Sequence, residues 1–323
     1  MRRSVIAILA VVSILAASVP LVSGADESNT ARARTLAYWT PERMAAAQPR
    51  ELVLPTNGKS GWIGKPGGGG GGTVSGASWT KGGDVLRASG RVYFVMDGSG
   101  WICSGSVITD SRTGVSLVLT AGHCAYDQVN TAFATNWLFI PDFDEAPSYT
   151  CANTVYGCWT ADALVVHNAF ATAGGFNSTA VTHDYAVAVV GAGGNSGSAQ
   201  LDTTVGSFQI AFPGLSTGQT AFAFGYPAQG KYNGKDLVYC AGPVFDDVYQ
   251  ASATWGLSCS MTGGASGGPW FASFTESTGS GTVTSVNSYR YRFLKNICGP
   301  KFDGATSNVY LASDSATSNT LVN

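Results

Sequence analysis

From Arg91 onward the chain is a succession of short runs rich in Val, Ile, Tyr and Phe, broken by Gly, Asn, Asp and Pro: RVYFVM, SGSVIT, VSLVLTA, NWLFIP, ALVVHN, YAVAVV, TAFAFGYP, GPWFASF and TVTSVNSYRY among them. Helical periodicity is almost absent from this region. Many short strands at near-regular spacing, separated by turn residues, predict an all-β barrel or sandwich. Residues 89–323 are long enough for two barrels packed together. A chain that is 45% apolar and 12% charged can bury a sizeable core. Its 18 basic and 20 acidic residues leave a net charge of −2, and no Lys/Arg-rich run is present, which argues against nucleic acid or an anionic membrane as partner.

The N-terminus has a different character. Arg2 and Arg3 precede an apolar run from Val5 to Leu15, and small residues follow around Val22-Ser23-Gly24. That order predicts a secretory signal peptide over residues 1–24, and the run falls short of the ~20 residues that a membrane span needs. Next, YWTPERMAAAQP predicts a short helix, with Thr40 as cap, Pro41 in the first turn and Glu42 at the positive end of the helix. A Gly-rich stretch over about 55–78 reads as a linker. Residues 25–88 thus read as a pro-segment or extension, separate from a main domain over 89–323.

Seven cysteines in an exported chain are expected to pair, leaving at least one over. Cys151 and Cys158 enclose a short loop. Cys103 with Cys124 and Cys240 with Cys259 are the other expected pairs, with Cys298 the odd one; a Cys259–Cys298 bridge competes. Neither a closely spaced Cys pair nor a His-Glu helix motif points to zinc, and neither metal nor cofactor is expected.

The stretch TGGASGGPW sets Ser266 among glycines. A serine so placed fits two nucleophile motifs and also an idle loop. An activated serine needs a base, and the three histidines, His123, His167 and His183, all precede it. The α/β-hydrolase order of serine, acid, histidine is therefore excluded, while histidine, aspartate, serine stays open. His123 ends an apolar strand in LVLTAGHCAYD, and Asp184 precedes a buried-type strand in VTHDYAVAVV. In this reading His123 is general base, Asp184 orients it, Ser266 attacks, and the backbone N–H groups of Gly264 and Ser266 form the oxyanion hole. His167 and His183 read as structural.

TAGHC, HDYAVAVV and GGASGGP, in that order, resemble the three catalytic blocks of trypsin-like, chymotrypsin-fold serine peptidases. YWTPERM, GYPA, LVYCAGP and MTGGASGGPW are similar to secreted microbial members, and the resemblance covers roughly residues 38–310. It implies two six-stranded antiparallel β-barrels with the site in the cleft between them, and hydrolysis of protein or peptide substrates by a secreted, monomeric, extracellular enzyme.

Ala265 replaces the aspartate with which animal members pair a new N-terminus, so cover by the pro-segment is the expected restraint. The resemblance implies a specificity pocket built from Ser260, Asn287 and Tyr289. Ser260, where trypsin-like members carry an aspartate, argues against Lys/Arg cleavage; glutamate-specific members carry a histidine in the strand after the serine that TVTSVNSYRY lacks, so a small or apolar preference is expected, and Arg290, which could meet an acidic side chain, is read as a solvated surface residue. The C-terminal NVYLASDSATSNTLVN reads as a poor helix former. An inactive binding module and an esterase are the competing functions.

Overall fold

The structure is a computed structural model that describes residues 24–54, 73–143, 150–292 and 294–323. The expected signal peptide, essentially residues 1–23, and most of the Gly-rich stretch, residues 55–72, lie outside the described residues. No helix among the described residues is long and apolar enough to cross a membrane.

Six antiparallel strands close the first barrel. Ser99–Ile108 pairs with Ser89–Met96, which pairs with Thr135–Pro141. The ring continues through Trp159–His167, Ala186–Val190 and Ser116–Thr120, and the last strand returns to Ser99–Ile108. Closure removes both sheet edges and leaves the interior to be filled by side chains. Val92, Phe94, Leu119, Phe139, Leu164 and Val187 belong to the buried cluster that fills it. The second half has a five-stranded sheet, in the order Ser280–Val286, Pro269–Thr275, Thr220–Gly225, Val238–Pro243 and Val74–Ser78. A three-stranded sheet of Phe245–Asp246, Thr254–Ser258 and Asn296–Pro300 shares its core through Ala223, Val238, Leu257 and Trp270.

Both ends of the chain depart from the sequence reading. The linker was expected to run to Ser78, yet Val74–Ser78 is a strand of the second half. Its small residues answer a close approach: Gly76 has φ +78°, and a Cβ there would sit 2.0 Å from the Tyr232 hydroxyl. Trp79 follows, buried edge-on against Phe224, Tyr239 and Phe274. At the other end Gly304–Ser313 is a helix, although its Ser/Thr/Asn content argued against one. Asp303 accepts from the N–H groups of Ala305 and Thr306, and Thr306 accepts from that of Asp303, so reciprocal capping satisfies donors that propensity alone ignores. The chain then adds Thr320–Val322 as a parallel strand beside Trp159–His167.

The N-terminal segment is docked rather than detached. Thr40 caps the helix Pro41–Ala46, its hydroxyl accepting from Arg43 N. Trp39 and Met44 are buried, and Trp39 Nε1 donates to the Asn136 carbonyl at 2.6 Å. Beyond the helix, residues 48–54 form a strap across both halves. Gln48–Pro49 pairs in parallel with Trp101-Ile102 of the first barrel, and Val53–Leu54 with Arg290–Tyr291 of the second half.

Candidate active site

His123 sits in a single 3-10 turn, Gly122–Cys124, that ends the strand Ser116–Thr120. The Cys103–Cys124 disulfide ties this turn to Ser99–Ile108. Asp184 lies just ahead of Ala186–Val190 and is fully buried. A buried carboxylate needs donors, and this one has three. His123 donates twice, from its backbone N–H at 2.8 Å to Oδ1 and from Nδ1 at 2.8 Å to Oδ2; the Ser288 hydroxyl donates to Oδ2. The imidazole is thereby held with its proton on Nδ1 and Nε2 left as the free acceptor. Nε2 is buried and has no hydrogen-bond partner among the described residues.

Ser266 stands in the tight turn before Pro269–Thr275. The Asn287 side-chain amide donates to the Ala265 and Phe224 carbonyls and its oxygen accepts from Trp270 Nε1. Gly267 N–H donates to the Asn287 carbonyl, and Ser104 N–H to that of Ser266 itself, both at 2.7 Å. Cys124 Sγ, one residue on from His123, is 3.9 Å from the Ser266 carbonyl oxygen, so the serine is seated on the disulfide that anchors the histidine turn. Two glycines here are dictated by space. Gly264 has φ +95°, and a Cβ on it would meet the Tyr226 carbonyl at 2.8 Å; one on Gly267, φ +82°, would meet Thr120 Oγ1 at 2.1 Å.

What meets the serine is the strap. Arg50 offers its carbonyl oxygen to the Ser266 hydroxyl at 3.2 Å and to the Gly264 N–H at 3.4 Å. The strap thus places one peptide carbonyl against both the Ser266 hydroxyl and the Gly264 N–H. The first barrel supplies an oriented imidazole and the second half a hydroxyl and an N–H donor, and the Cys124 sulfur beside His123 links the two turns at 3.9 Å.

Solved structures resemble this architecture. The protease Anisep from Arthrobacter nicotinovorans superposes with a TM-score of 0.60 and 33% identity, over 71% of this chain and 96% of that one. The thermostable serine protease AL20 from an extremophilic microorganism gives the same score and identity, over 72% of this chain and 100% of its own. The chain belongs to the chymotrypsin-fold serine proteases. No family model and no curated protein matches it.

In this protease the three expected pocket residues have separate positions. Asn287 and Tyr289 line the pocket beside Ser266, together with Met261, Thr262, Ser288, Arg290 and Ile297. Their polar groups are committed elsewhere, that of Asn287 to the turn and the Tyr289 hydroxyl to Asp247 and Thr254. Burial raises the Tyr289 hydroxyl far above its ordinary range and keeps it a neutral donor. Ser260 lines an adjoining cavity, with its hydroxyl hydrogen-bonded to the Ser75 carbonyl and the Tyr232 hydroxyl. Arg290, expected on the surface, is part-buried in an ion pair with Glu51 of the strap. Ser288 and the strap residues had no local sequence signal, because each acts only through a partner more than 50 residues away.

The remaining histidines and cysteines stand apart from this cleft's chemistry. His167 and His183 stack on each other with ring centroids 4.4 Å apart, and burial lowers the His167 pKa. Disulfides join Cys151 to Cys158 and Cys240 to Cys259, and Cys298 is a buried free thiol whose pKa is raised by that burial. Cys103, His123 and Cys124 cluster closely, but both sulfurs are in the disulfide, which leaves no thiolate to hold a metal.

Proposed function

We propose that the chain is a secreted serine endopeptidase made in latent form, with His123, Asp184 and Ser266 as its triad. His123 Nε2 takes the Ser266 proton as Oγ bonds to the scissile carbonyl carbon. The oxyanion is received by the N–H groups of Gly264 and Ser266. Collapse of the tetrahedral intermediate breaks the C–N bond, the amine leaves with the proton from His123, and water deacylates the serine by the same route. Asp184 holds the imidazole tautomer and stabilises the imidazolium.

Two observations support this reading: a carbonyl, that of Arg50, shared by the serine hydroxyl and the Gly264 amide, and an imidazole whose Nδ1 is engaged by a buried carboxylate in a turn that touches the serine turn through Cys124. Secretion is supported by residues 1–24 and by three disulfides. Latency is supported by the strap, which turns the Ser266 hydroxyl toward Arg50 and fills the cleft. Residues 25–54 then act as the pro-segment, with the protease proper beginning near residue 73.

A neutral organophosphonate tests both parts. It labels Ser266 slowly in the full chain and rapidly once the strap has been removed by limited proteolysis. Absence of labelling at Ser266 in either form would contradict the nucleophile assignment, and equal rates in both would contradict latency.

A further inference from the structure

Glu51 follows the carbonyl that meets Ser266, and its carboxylate forms a two-pronged pair with Arg290: Nε donates to Oε1, and Nη2 to Oε2 at 3.0 Å. Glu51 and Leu52 enter the pocket beside the serine and leave a cavity of only about 10 Å³, room for about one water. Past Arg290 the wall continues into a second cavity of about 300 Å³, where Arg292 and Lys295 join Arg290 and no acidic side chain lines it among the described residues. The planar guanidinium fork matches a carboxylate in two hydrogen bonds, which an apolar side chain entering the same space would leave unmade.

We propose that Arg290 makes the pocket beside Ser266 a carboxylate-binding pocket, so that the enzyme cleaves on the carboxyl side of Glu and Asp, with Glu51 holding that place in the latent chain. The inference rests on the peptidase reading above and replaces the small or apolar preference expected from Ser260. In the strap the carbonyl and the pocket side chain come from neighbouring residues. The strap is therefore not seated as a substrate, and in the proposed cleavage both belong to the residue that stays on Ser266 through the acyl intermediate.

The test uses peptides identical except for Glu, Asp, Gln, Leu or Lys at the residue before the scissile bond, given to the strap-released wild type, Arg290→Gln and Ser266→Ala. A charge-assisted, two-pronged pair predicts that Glu exceeds Gln about 10- to 100-fold in kcat/KM. Arg290→Gln removes that ratio, lowering turnover of the Glu and Asp peptides at least about 10-fold more than that of the Gln and Leu peptides. In the unprocessed chain the same substitution loosens the strap, so phosphonate labelling of Ser266 becomes faster. A loss of acidic-peptide turnover together with a gain in labelling is a pair of changes that mere misfolding does not produce.

Cleavage that depends on Ser266 but lacks the Glu preference would overturn the specificity and leave the peptidase standing. A Glu preference that survives in Arg290→Gln, or an equal loss for every peptide, would do the same. No Ser266-dependent cleavage of any peptide would overturn the peptidase reading and this inference together.

Discussion

Asp184 concentrates the site's requirements in one side chain. Fully buried, it accepts from three donors, two of them from His123, and so fixes the position of the imidazole. Asp184→Asn offers an amide in place of one acceptor and favours the wrong tautomer. We expect kcat to fall by about 10⁴-fold with KM little changed, as in other triads of this type; steady-state kinetics at neutral pH measure it. At this scale the sequence was informative where chemistry is local. The His123–Asp184 contact and the Ser266 turn could be picked out from residue type, order and flanking strands, and the triad they are proposed to form was read the same way. Arg290 was not, because a solvated arginine and a paired one look alike until the partner, here Glu51, is known.

Two elements carry stability predictions of their own. The helix Gly304–Ser313 depends on its cap, so Asp303→Ala should lower unfolding free energy by about 1 kcal/mol in urea titrations. Composition hid this helix: the polar tail beyond Ser313 dominated the window, whereas the structure needs only ten helical residues behind one good cap. A second element contact is pH-dependent. Lys301, by hydrogen bond, and then Thr217 hold the Asp246 carboxyl below its ordinary pKa. A carboxyl depressed in the folded state stabilises fully above the ordinary carboxylate range, and the contribution disappears as pH falls through the lowered value. Asp246→Asn should therefore flatten the acid side of the stability curve, by no more than about 1 kcal/mol for so exposed a pair. A drop in stability that is the same at neutral and acidic pH would contradict that assignment.

In the whole molecule the two halves do different work. A closed ring of six strands presents the histidine and aspartate, the second half presents the serine turn and the Arg290 wall, and the strap is hydrogen-bonded to both. The all-β class and the first barrel were readable because period and turn residues are short-range signals. The strand Val74–Ser78 was not: Gly76 and its small neighbours resemble a linker, and only the close approach of Tyr232 and the Val238–Pro243 strand explains them. The strap escaped for a related reason, since two-residue pairings have no periodicity.

The most direct test of the account is cleavage-site mapping by mass spectrometry on a denatured protein mixture, comparing the secreted, processed chain with its Ser266→Ala form. The account predicts many internal cuts with the wild type and none with Ser266→Ala. A processed, folded wild type that makes no cuts, or a Ser266→Ala chain that makes the same ones, would contradict it.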